Sequence, residues 1–282
     1  MFDDHGVEVQ HLFNPSGAER AALVIGGEAD ASILGIVSGF RGLVTDDWHF
    51  VGTQVQAGDA NALACDPALG VESLADVSGL TIAAADGSSS YETFARVMAP
   101  EYGLTPDDWS LVNLDVSERL AAVVGGSADC MLQQEPILSI AESQGHVEIV
   151  PDGGVMGEFD LNHLVLYVST SYLDAPGGEE ATERFLAALI DAGAFIENDP
   201  EAAGAIYAQR MEQEGVPIDD PDLLPVAIEK QGYEVCIGDD FRENLDLWAA
   251  IAIDTGDLSE DEVPDWDQSV EWDLNHRVTG GC

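Results

Sequence analysis

The chain has 282 residues, which exceeds the usual size of a domain with a single core, so we expect two lobes. It carries 54 acidic residues against 9 basic ones, a formal net charge of −45, and this balance excludes a basic surface for nucleic acid. No run of about 18 apolar residues occurs, so the sequence predicts no membrane-spanning helix.

The acidic residues are spread over the whole chain instead of being gathered in a tail. A uniform excess is typical of a protein from a saline environment, where molar salt shortens the Debye length to about 3 Å and screens the self-repulsion. An acidic surface for a basic ligand or protein is the alternative. The first interpretation predicts a halophilic protein whose stability requires salt.

One segment of the chain occurs twice. Residues 19–30 and 118–129 align without a gap, and each predicts a helix, a Gly-Gly stop and a strand that begins with Ala-Asp. A predicted strand precedes each copy, over residues 7–13 and 109–114. A strand, a helix and a strand of this length form a βαβ unit with a parallel sheet. The sequence therefore predicts two similar α/β units, and two such lobes form a cleft that binds a ligand.

The rest of the chain alternates between strands and helices before it becomes helical. Further strands are expected over residues 29–36, 48–56, 62–65, 80–84, 128–132, 146–150 and 161–169. Helices are expected over residues 89–102 and 134–144, and residues 38–42 predict a turn or a short helix end. From residue 179 onward the pattern indicates about four helices.

Cysteine and histidine patterns indicate no metal chemistry. Cys65, Cys130, Cys236 and Cys282 are far apart and include no C-x-x-C pair, so zinc and thioredoxin chemistry have no support. Cys130 is expected to be a small core residue, and Cys282 is uninformative. The six histidines are scattered and form no H-E-x-x-H motif. We therefore expect neither a metal nor a cofactor.

Seven short segments occur in an order that resembles a known family. They are residues 2–9 (FDDHGVEV), 16–17 (SG), 27–30 (GEAD), 73–83 (SLADVSGLTIA), 126–129 (GSAD), 134–136 (QEP) and 198–203 (NDPEAA). Their order and spacing are similar to those of substrate-binding proteins of ABC importers for nitrate, sulfonates, taurine and thiamine-pyrimidine precursors. The resemblance covers nearly the whole chain. It implies an α/β fold of the two-lobed type II periplasmic-binding-protein kind, with a largely helical C-terminal part.

The resemblance also implies a domain organisation and a set of partners. Lobe one would comprise residues 1–78 and 171–282, and lobe two residues 79–170. The protein would be an extracytoplasmic monomer that binds a small organic anion or zwitterion and docks on an ABC permease with its ATPase. Family members carry a signal or lipoprotein segment and a first strand upstream of the position of Phe2, so we expect a chain truncated at its start. The missing segment would decide how the protein is anchored.

Three predicted loops lie at the carboxyl ends of parallel strands, where ligands bind in open α/β sheets. Two of them open a helix, whose free N–H groups favour an anion. With the wall of lobe one they supply the candidate ligand residues Asn14, Ser16, Gly17, Ser32, Gly35, Ser88, Ser89, Ser90, Tyr91, Gln133, Gln134 and Glu135. Glu135 favours a ligand with a cationic part. Arg41 is a further candidate for an anion partner, with a plain surface position as the alternative.

Most of these candidates also have a purely structural interpretation. The serines of residues 88–90 can cap the helix that follows, and Tyr91 can pack on the sheet. Residues 133–135 can form a solvated strand end, and Ser32 and Gly35 can be core residues.

Two other functions are compatible with such a fold. One is an enzyme. However, the serines of residues 86–90 form no G-x-S-x-G nucleophile elbow, and no histidine has the spacing expected of a catalytic partner for these serines. The other is a ligand-sensing regulatory module, which a fused transmembrane or DNA-binding segment would support, and this sequence shows none. We therefore predict a solute receptor and not an enzyme, with two lobes that close on the ligand.

Overall fold

The structure is a computed structural model that describes residues 1–14, 17–54, 60–154, 164–215, 218 and 220–282. The chain divides into two compact units, each of which is discontinuous in sequence. Unit 1 consists of Met1–Val55, Leu161–Phe195 and Tyr233–Cys282. Unit 2 consists of Gln56–Asp160 and Ile196–Gly232.

Helices and strands both occur up to residue 169, and only helices follow within the described ranges. Six of these helices begin at Gly178 or later, where the sequence predicts about four. The strands are β1 (Ala31–Gly35), β2 (Trp48–Gln54), β3 (Asn61–Cys65), β4 (Thr81–Ala84), β5 (Ser110–Asn113), β6 (Cys130–Gln134), β7 (Glu148–Gly154) and β8 (Leu164–Ser169). The helices are α1 (Gly17–Ile25), α2 (Ile36–Val44), α3 (Ser89–Glu92), α4 (Ala99–Glu101), α5 (Arg119–Val124), α6 (Ile137–Ser143), α7 (Thr170–Leu173), α8 (Gly178–Asn198), α9 (Pro200–Gln213), α10 (Leu224–Glu229), α11 (Asp239–Thr255), α12 (Trp266–Ser269) and α13 (Trp272–Thr279). The π-helical segment Thr93–Met98 connects α3 to α4. None of these described helices combines the length and the apolar character that crossing a bilayer requires.

The described sheet of unit 1 is antiparallel. Its central strand β8 lies between β1 and β2, with Ile33 opposite Leu166 and Phe50 opposite Tyr167. Apolar residues of β2, β8 and α8 pack with Leu274 of α13 into one core cluster. The first repeat therefore does not form the parallel βαβ unit that the sequence predicts, because the described partner of β1 runs in the opposite direction.

The strand predicted over residues 7–13 does not form. These residues adopt no regular structure, and Val9, Leu12 and Phe13 are exposed. An apolar pattern stabilises a strand only where a neighbouring strand accepts its hydrogen bonds. No strand pairs with this segment in the described part of the chain, so the prediction is wrong here.

Helix α2 occupies the region, residues 38–42, that the sequence predicts as a turn or a short helix end. Both glycines of this region, Gly39 and Gly42, lie inside the helix. A Cβ atom at Gly39 would overlap the ring of Tyr167, and one at Gly42 would overlap the indole of Trp48. The two glycines therefore allow the helix to approach the sheet closely, and they do not mark a chain reversal.

Unit 2 contains a five-stranded sheet in the order β5-β4-β6-β3-β7. Strand β4 pairs in parallel with β5 and β6, with Ile82 opposite both Leu111 and Cys130. The second repeat supplies β5, α5 and β6, and Gly126 with φ +70° follows the end of α5. The parallel βαβ unit predicted from this repeat is thus confirmed.

The boundaries of the units differ from those of the predicted lobes. Strand β3 falls in the predicted lobe one, but it pairs antiparallel with both β6 and β7 of unit 2. Asp152 of β7 also accepts hydrogen bonds from the Ser73 hydroxyl at 2.8 Å and the Leu74 backbone N–H at 2.9 Å. These contacts place residues 56–78 in unit 2, which residues 196–232 join as well.

All four cysteines form disulfides, which the sequence analysis did not predict. Cys65 and Cys130 face each other across β3 and β6 and are joined there. Cys130 is therefore a core residue, as expected, and also half of a cross-strand link. Cys236 is joined to Cys282, which ties the segment before α11 to the residues that follow α13. The pairing was missed because wide cysteine spacing does not reveal connectivity.

Candidate functional site

One edge of the unit 2 sheet gathers the candidate residues of that unit. Strands β4 and β6 run parallel and end here, at Ala84 and Gln134. Strand β3 runs in the opposite direction, so its first residue, Asn61, lies at the same edge and opposite Gln134. We call residues 60–61, 84–91 and 133–135 the unit 2 edge. This is the position at which α/β sheets bind ligands.

Ser88 acts as a helix cap at this edge. Its hydroxyl donates to the backbone carbonyl of Ala85 at 2.7 Å and accepts from the Tyr91 N–H at 3.3 Å. Ser89 is buried, and Ser90 accepts a hydrogen bond of 2.6 Å from the Asn61 amide. The capping interpretation of the sequence therefore describes Ser88, whereas Ser90 is linked to the first residue of β3.

The Tyr91 ring packs inside unit 2. It is 7% exposed and belongs to the core cluster that includes Phe94 and Trp109. Burial is the main cause that raises the pKa of its phenol. Most of this side chain therefore contributes to the core, which agrees with the structural alternative stated for it.

Gln133 and Gln134 are the last residues of β6, although the sequence placed them in the loop after the strand. The Gln133 side chain is 1% exposed, donates to the Val116 carbonyl at 2.9 Å and accepts from the Gln134 N–H at 3.0 Å. Gln134 is exposed. Gln133 thus ties the end of β6 to the loop before α5, and Gln134 offers its side chain to solvent.

The Glu135 carboxylate is already engaged within unit 2. Its side chain is fully buried and lies 2.8 Å from the Lys230 ammonium. The Ser139 hydroxyl donates to it at 2.7 Å, and the Ser139 N–H does so at 3.0 Å. Gln231 donates to the Glu135 backbone carbonyl at 3.2 Å. This carboxylate therefore holds the first turn of α6 and the end of α10 together.

Arg119 belongs to the neighbourhood of this edge, and the sequence analysis did not single it out. It is 7% exposed, and its guanidinium donates to the carbonyls of Leu114 at 3.1 Å and Leu132 at 2.8 Å. Burial lowers its pKa to about 10. The repeat carried the signal that could have identified it, because Arg20 occupies the equivalent position of the first copy. Arg20 donates to the Asn14 carbonyl at 3.0 Å, and burial lowers its pKa too.

Asn61 is a second residue that the sequence analysis missed. It is 4% exposed, and its Nδ2 donates to Ser90. Its buried Oδ1 has no hydrogen-bond partner in the described part of the chain. A buried oxygen in this state is rare in folded proteins. Nothing in the one-dimensional pattern identifies Asn61, because its position depends on the pairing of β3 with β6.

The described candidate residues of unit 1 lie just before α1, at its start, on β1 and on α2. The Asn14 amide donates to Glu19 at 2.7 Å, and Gly17 is the first residue of α1. Ser32 and Gly35 lie on β1, where the Gly35 carbonyl accepts from the Tyr167 hydroxyl at 3.0 Å. Ser16 lies outside the described residues. Arg41 is exposed on α2.

A search of the described residues for three or more histidine, cysteine or acidic side chains that could hold a metal ion finds no such group. Apart from the Asp86 and Glu135 carboxylates, the unit 2 edge offers neutral hydrogen-bonding groups: amides, hydroxyls and backbone N–H groups.

Comparison with known proteins identifies the family. The family model described as NMT1/THI5 like matches residues 1–203. No curated protein matches the chain significantly.

Solved structures show the same fold at low sequence identity. The alkanesulfonate-binding protein SsuA from Xanthomonas axonopodis pv. citri, bound to MOPS, is 19% identical, with a TM-score of 0.72 over 92% of this chain and 86% of that one. The periplasmic aliphatic sulphonate binding protein SsuA from Escherichia coli is 19% identical, with a TM-score of 0.71 over 93% and 80%. The desulfurization enzyme DSZB is 13% identical, with a TM-score of 0.66 over 99% and 92%. The predicted type II periplasmic-binding-protein fold is thereby confirmed, and both binding proteins and an enzyme have it.

Proposed function

The chain belongs to the NMT1/THI5-like family, and we propose from this membership that it is the solute-binding component of an ABC importer. In this proposal it binds a small organic anion or zwitterion outside the cytoplasm and delivers it to a membrane permease with its ATPase. Its ligand belongs to the sulfonate, taurine, nitrate or pyrimidine-like class. The two lobes close on the ligand, and the closed form docks on the permease.

The observation that carries the proposal is the match of more than nine-tenths of this chain to two sulfonate-binding proteins. The alkanesulfonate-binding protein from Xanthomonas covers 92% of this chain, and the Escherichia coli protein covers 93%. The names of both proteins describe sulfonate binding, and the structure of the first is bound to MOPS, a sulfonate buffer. We propose the same class of ligand for this chain.

The chemistry of the unit 2 edge suits such a ligand. The proposed contacts in unit 2 are Ser88, Ser89, Ser90, Tyr91, Gln133, Gln134 and Glu135, and those in unit 1 are Asn14, Ser16, Gly17, Ser32 and Gly35. Among them Gln134 is the exposed amide at a strand end, so it is the side chain most available for direct contact. Neutral donors of this kind bind a sulfonate without the desolvation cost of a second buried charge.

The disulfides support a location outside the cytoplasm. Links such as Cys65–Cys130 and Cys236–Cys282 persist in oxidising compartments and are rare in reducing ones. The net charge of −45 suits a saline exterior, where the acidic surface is screened. We propose a monomer at the outer face of the cell membrane.

A ligand screen tests this function. Purified protein in multimolar KCl is mixed with taurine, alkanesulfonates, nitrate, bicarbonate, aminopyrimidines and amino acids, and its melting temperature is recorded. Stabilisation that grows with the concentration of one compound supports the proposal. Gln134→Ala should weaken the binding of that ligand. Gln144 is an exposed glutamine just after α6, and Gln144→Ala should leave the binding affinity unchanged.

The same screen separates the alternatives. Stoichiometric binding without turnover is expected for a solute receptor. Formation of a product from the bound compound would contradict the proposal and favour an enzyme such as the DSZB structure represents. A cooperative melt that no compound shifts would favour a regulatory module with a different ligand.

A further inference from the structure

The unit 2 edge contains one buried polar atom whose hydrogen bond is missing. Asn61 is 4% exposed, its Nδ2 donates to the Ser90 hydroxyl at 2.6 Å, and its Oδ1 has no partner in the described part of the chain. An amide oxygen that leaves water without gaining a donor costs free energy. A native protein keeps such an atom where something outside the chain completes the bond.

The position of Asn61 relates this oxygen to the proposed ligand. Asn61 is the first residue of β3 and lies opposite Gln134, the last residue of β6. The Glu135 N–H donates to the Ala60 carbonyl at 2.8 Å, so the two chain segments are joined at this point. Asn61 therefore belongs to the unit 2 edge, where the sequence predicts ligand contacts, and it lies between Ser90 and Gln134.

Two other hydrogen-bond acceptors of this edge are already occupied. The Glu135 carboxylate, which the sequence offered for the cationic part of a ligand, is engaged by Lys230 and Ser139. The Gln133 oxygen accepts from the Gln134 N–H. The Asn61 Oδ1 differs from both because no donor reaches it among the described residues.

We propose that Asn61 is a specificity-determining residue whose Oδ1 accepts a hydrogen bond from an N–H or O–H group of the ligand. This inference rests on the proposed function and narrows its ligand class. Nitrate and simple alkanesulfonates carry acceptors only, and they leave the Asn61 oxygen without a partner. The amino group of a zwitterion such as taurine supplies the hydrogen-bond donor, and so does the amino group of an aminopyrimidine. A site built around a hydrogen bond rejects analogues that lack the matching group.

Two matched pairs of compounds test this inference by isothermal titration calorimetry in molar KCl. Taurine and ethanesulfonate share the sulfonate and differ in the amino group, and aminopyrimidine and pyrimidine differ in the same way. The wild-type protein should prefer the amino compound of the pair that it binds by at least about tenfold. Asn61→Leu has a similar shape without the acceptor and should reduce this preference to about twofold or less. Asn61→Asp retains the acceptor and should keep the preference.

Asn113→Ala is the matched control, because Asn113 lies at the same end of the sheet and its Oδ1 already accepts from the Asp86 N–H at 3.1 Å. This variant should keep the wild-type ratio. Equal affinity for both members of the bound pair, or an unchanged ratio in Asn61→Leu, would overturn the inference and identify water as the partner of Oδ1. If Asn61→Leu does not fold, Asn61→Ala, which also lacks the acceptor, takes its place with the same expected loss of preference. If no compound of the wider screen binds, the proposed function fails and this inference falls with it.

Discussion

The Lys230 ammonium lies 2.8 Å from the Glu135 carboxylate, whose side chain is fully buried. Lys230 is the only lysine in a chain with 54 acidic residues. The contact joins residues that are 95 positions apart in sequence, the start of α6 and the end of α10. The single lysine therefore holds part of unit 2 together, and no other lysine is present to pair with the acidic surface.

Replacing this lysine should destabilise unit 2. Lys230→Met leaves the Glu135 carboxylate buried with only the donors of Ser139, and removing one partner of a buried ion pair is costly. Because Lys230 is 28% exposed, we expect a loss of about 2 kcal/mol in the free energy of unfolding. Urea unfolding in molar KCl measures this loss.

Two further variants control this experiment. Arg184→Met breaks the exposed ion pair with Glu180 and should change stability by less than about 1 kcal/mol. The double variant Lys230→Met with Glu135→Gln removes the unpaired charge and should recover part of the loss. Equal effects of Lys230→Met and Arg184→Met would show that the buried pair contributes no more than a surface pair.

His49 predicts a pH dependence for unit 1. Its Nδ1 lies 2.6 Å from Glu271, and this hydrogen bond raises the pKa of His49 above the ordinary 6.5, although burial opposes the change. Because the pKa is higher in the folded chain, protonation of His49 stabilises the fold fully below pH 6.5. This contribution disappears as the pH rises through the raised pKa.

The difference in unfolding free energy between wild type and His49→Gln isolates the effect. That difference should be largest below pH 6.5 and should shrink as the pH rises above it. Glu271→Gln removes the largest cause of the shift, so the pKa of His49, followed by NMR, should move down in that variant. A difference that does not change with pH would contradict the assignment.

The sequence predicted the elements of unit 2 better than those of unit 1. The second repeat has its own preceding strand, so the local pattern and the tertiary partners agree, and the parallel sheet forms as predicted. In the first repeat, residues 7–13 have the apolar content of a strand but no described strand to pair with. Residues 38–42 were predicted as a turn or a short helix end and not as the interior of α2, because Gly39 and Gly42 are typical of such ends, whereas here they allow close packing.

The position of the candidate site could be predicted from the sequence, but the roles of its individual residues could not. The rule that ligands bind at the carboxyl ends of strands found the edge around Ser88 and Gln134. It could not show that Glu135 would be engaged by Lys230, because that contact joins distant segments. Asn61 was missed for the same reason, since the antiparallel pairing of β3 brings it to the edge.

The two disulfides should differ in their response to mild reduction. Cys65 is 2% exposed and Cys130 is fully buried, whereas Cys282 is exposed. Thiol–disulfide exchange requires access to a sulfur atom. Treatment of the folded protein with a mild reductant, followed by alkylation and mass spectrometry, should therefore label Cys236 and Cys282 well before the other pair.

Unfolding in urea controls this result, because all four cysteines should then be labelled at similar rates. The double variant Cys65→Ala with Cys130→Ala should also lower the free energy of unfolding, by about 2–4 kcal/mol, since the link closes a long loop. Simultaneous labelling of both pairs in the folded protein would contradict the burial of the cross-strand link.

Salt should govern the stability of the whole chain. A net charge of −45 on 282 residues repels itself, and this repulsion weakens as the Debye length falls from about 10 Å at 0.1 M salt to about 3 Å at 1 M. The melting temperature should therefore rise steeply with KCl over this range and then level off. Sorbitol at equal osmolality tests whether the effect is electrostatic, because it leaves the repulsion unscreened and should give a much smaller rise. A melting temperature that is independent of KCl would show that the acidic residues serve a specific basic partner instead of a saline environment.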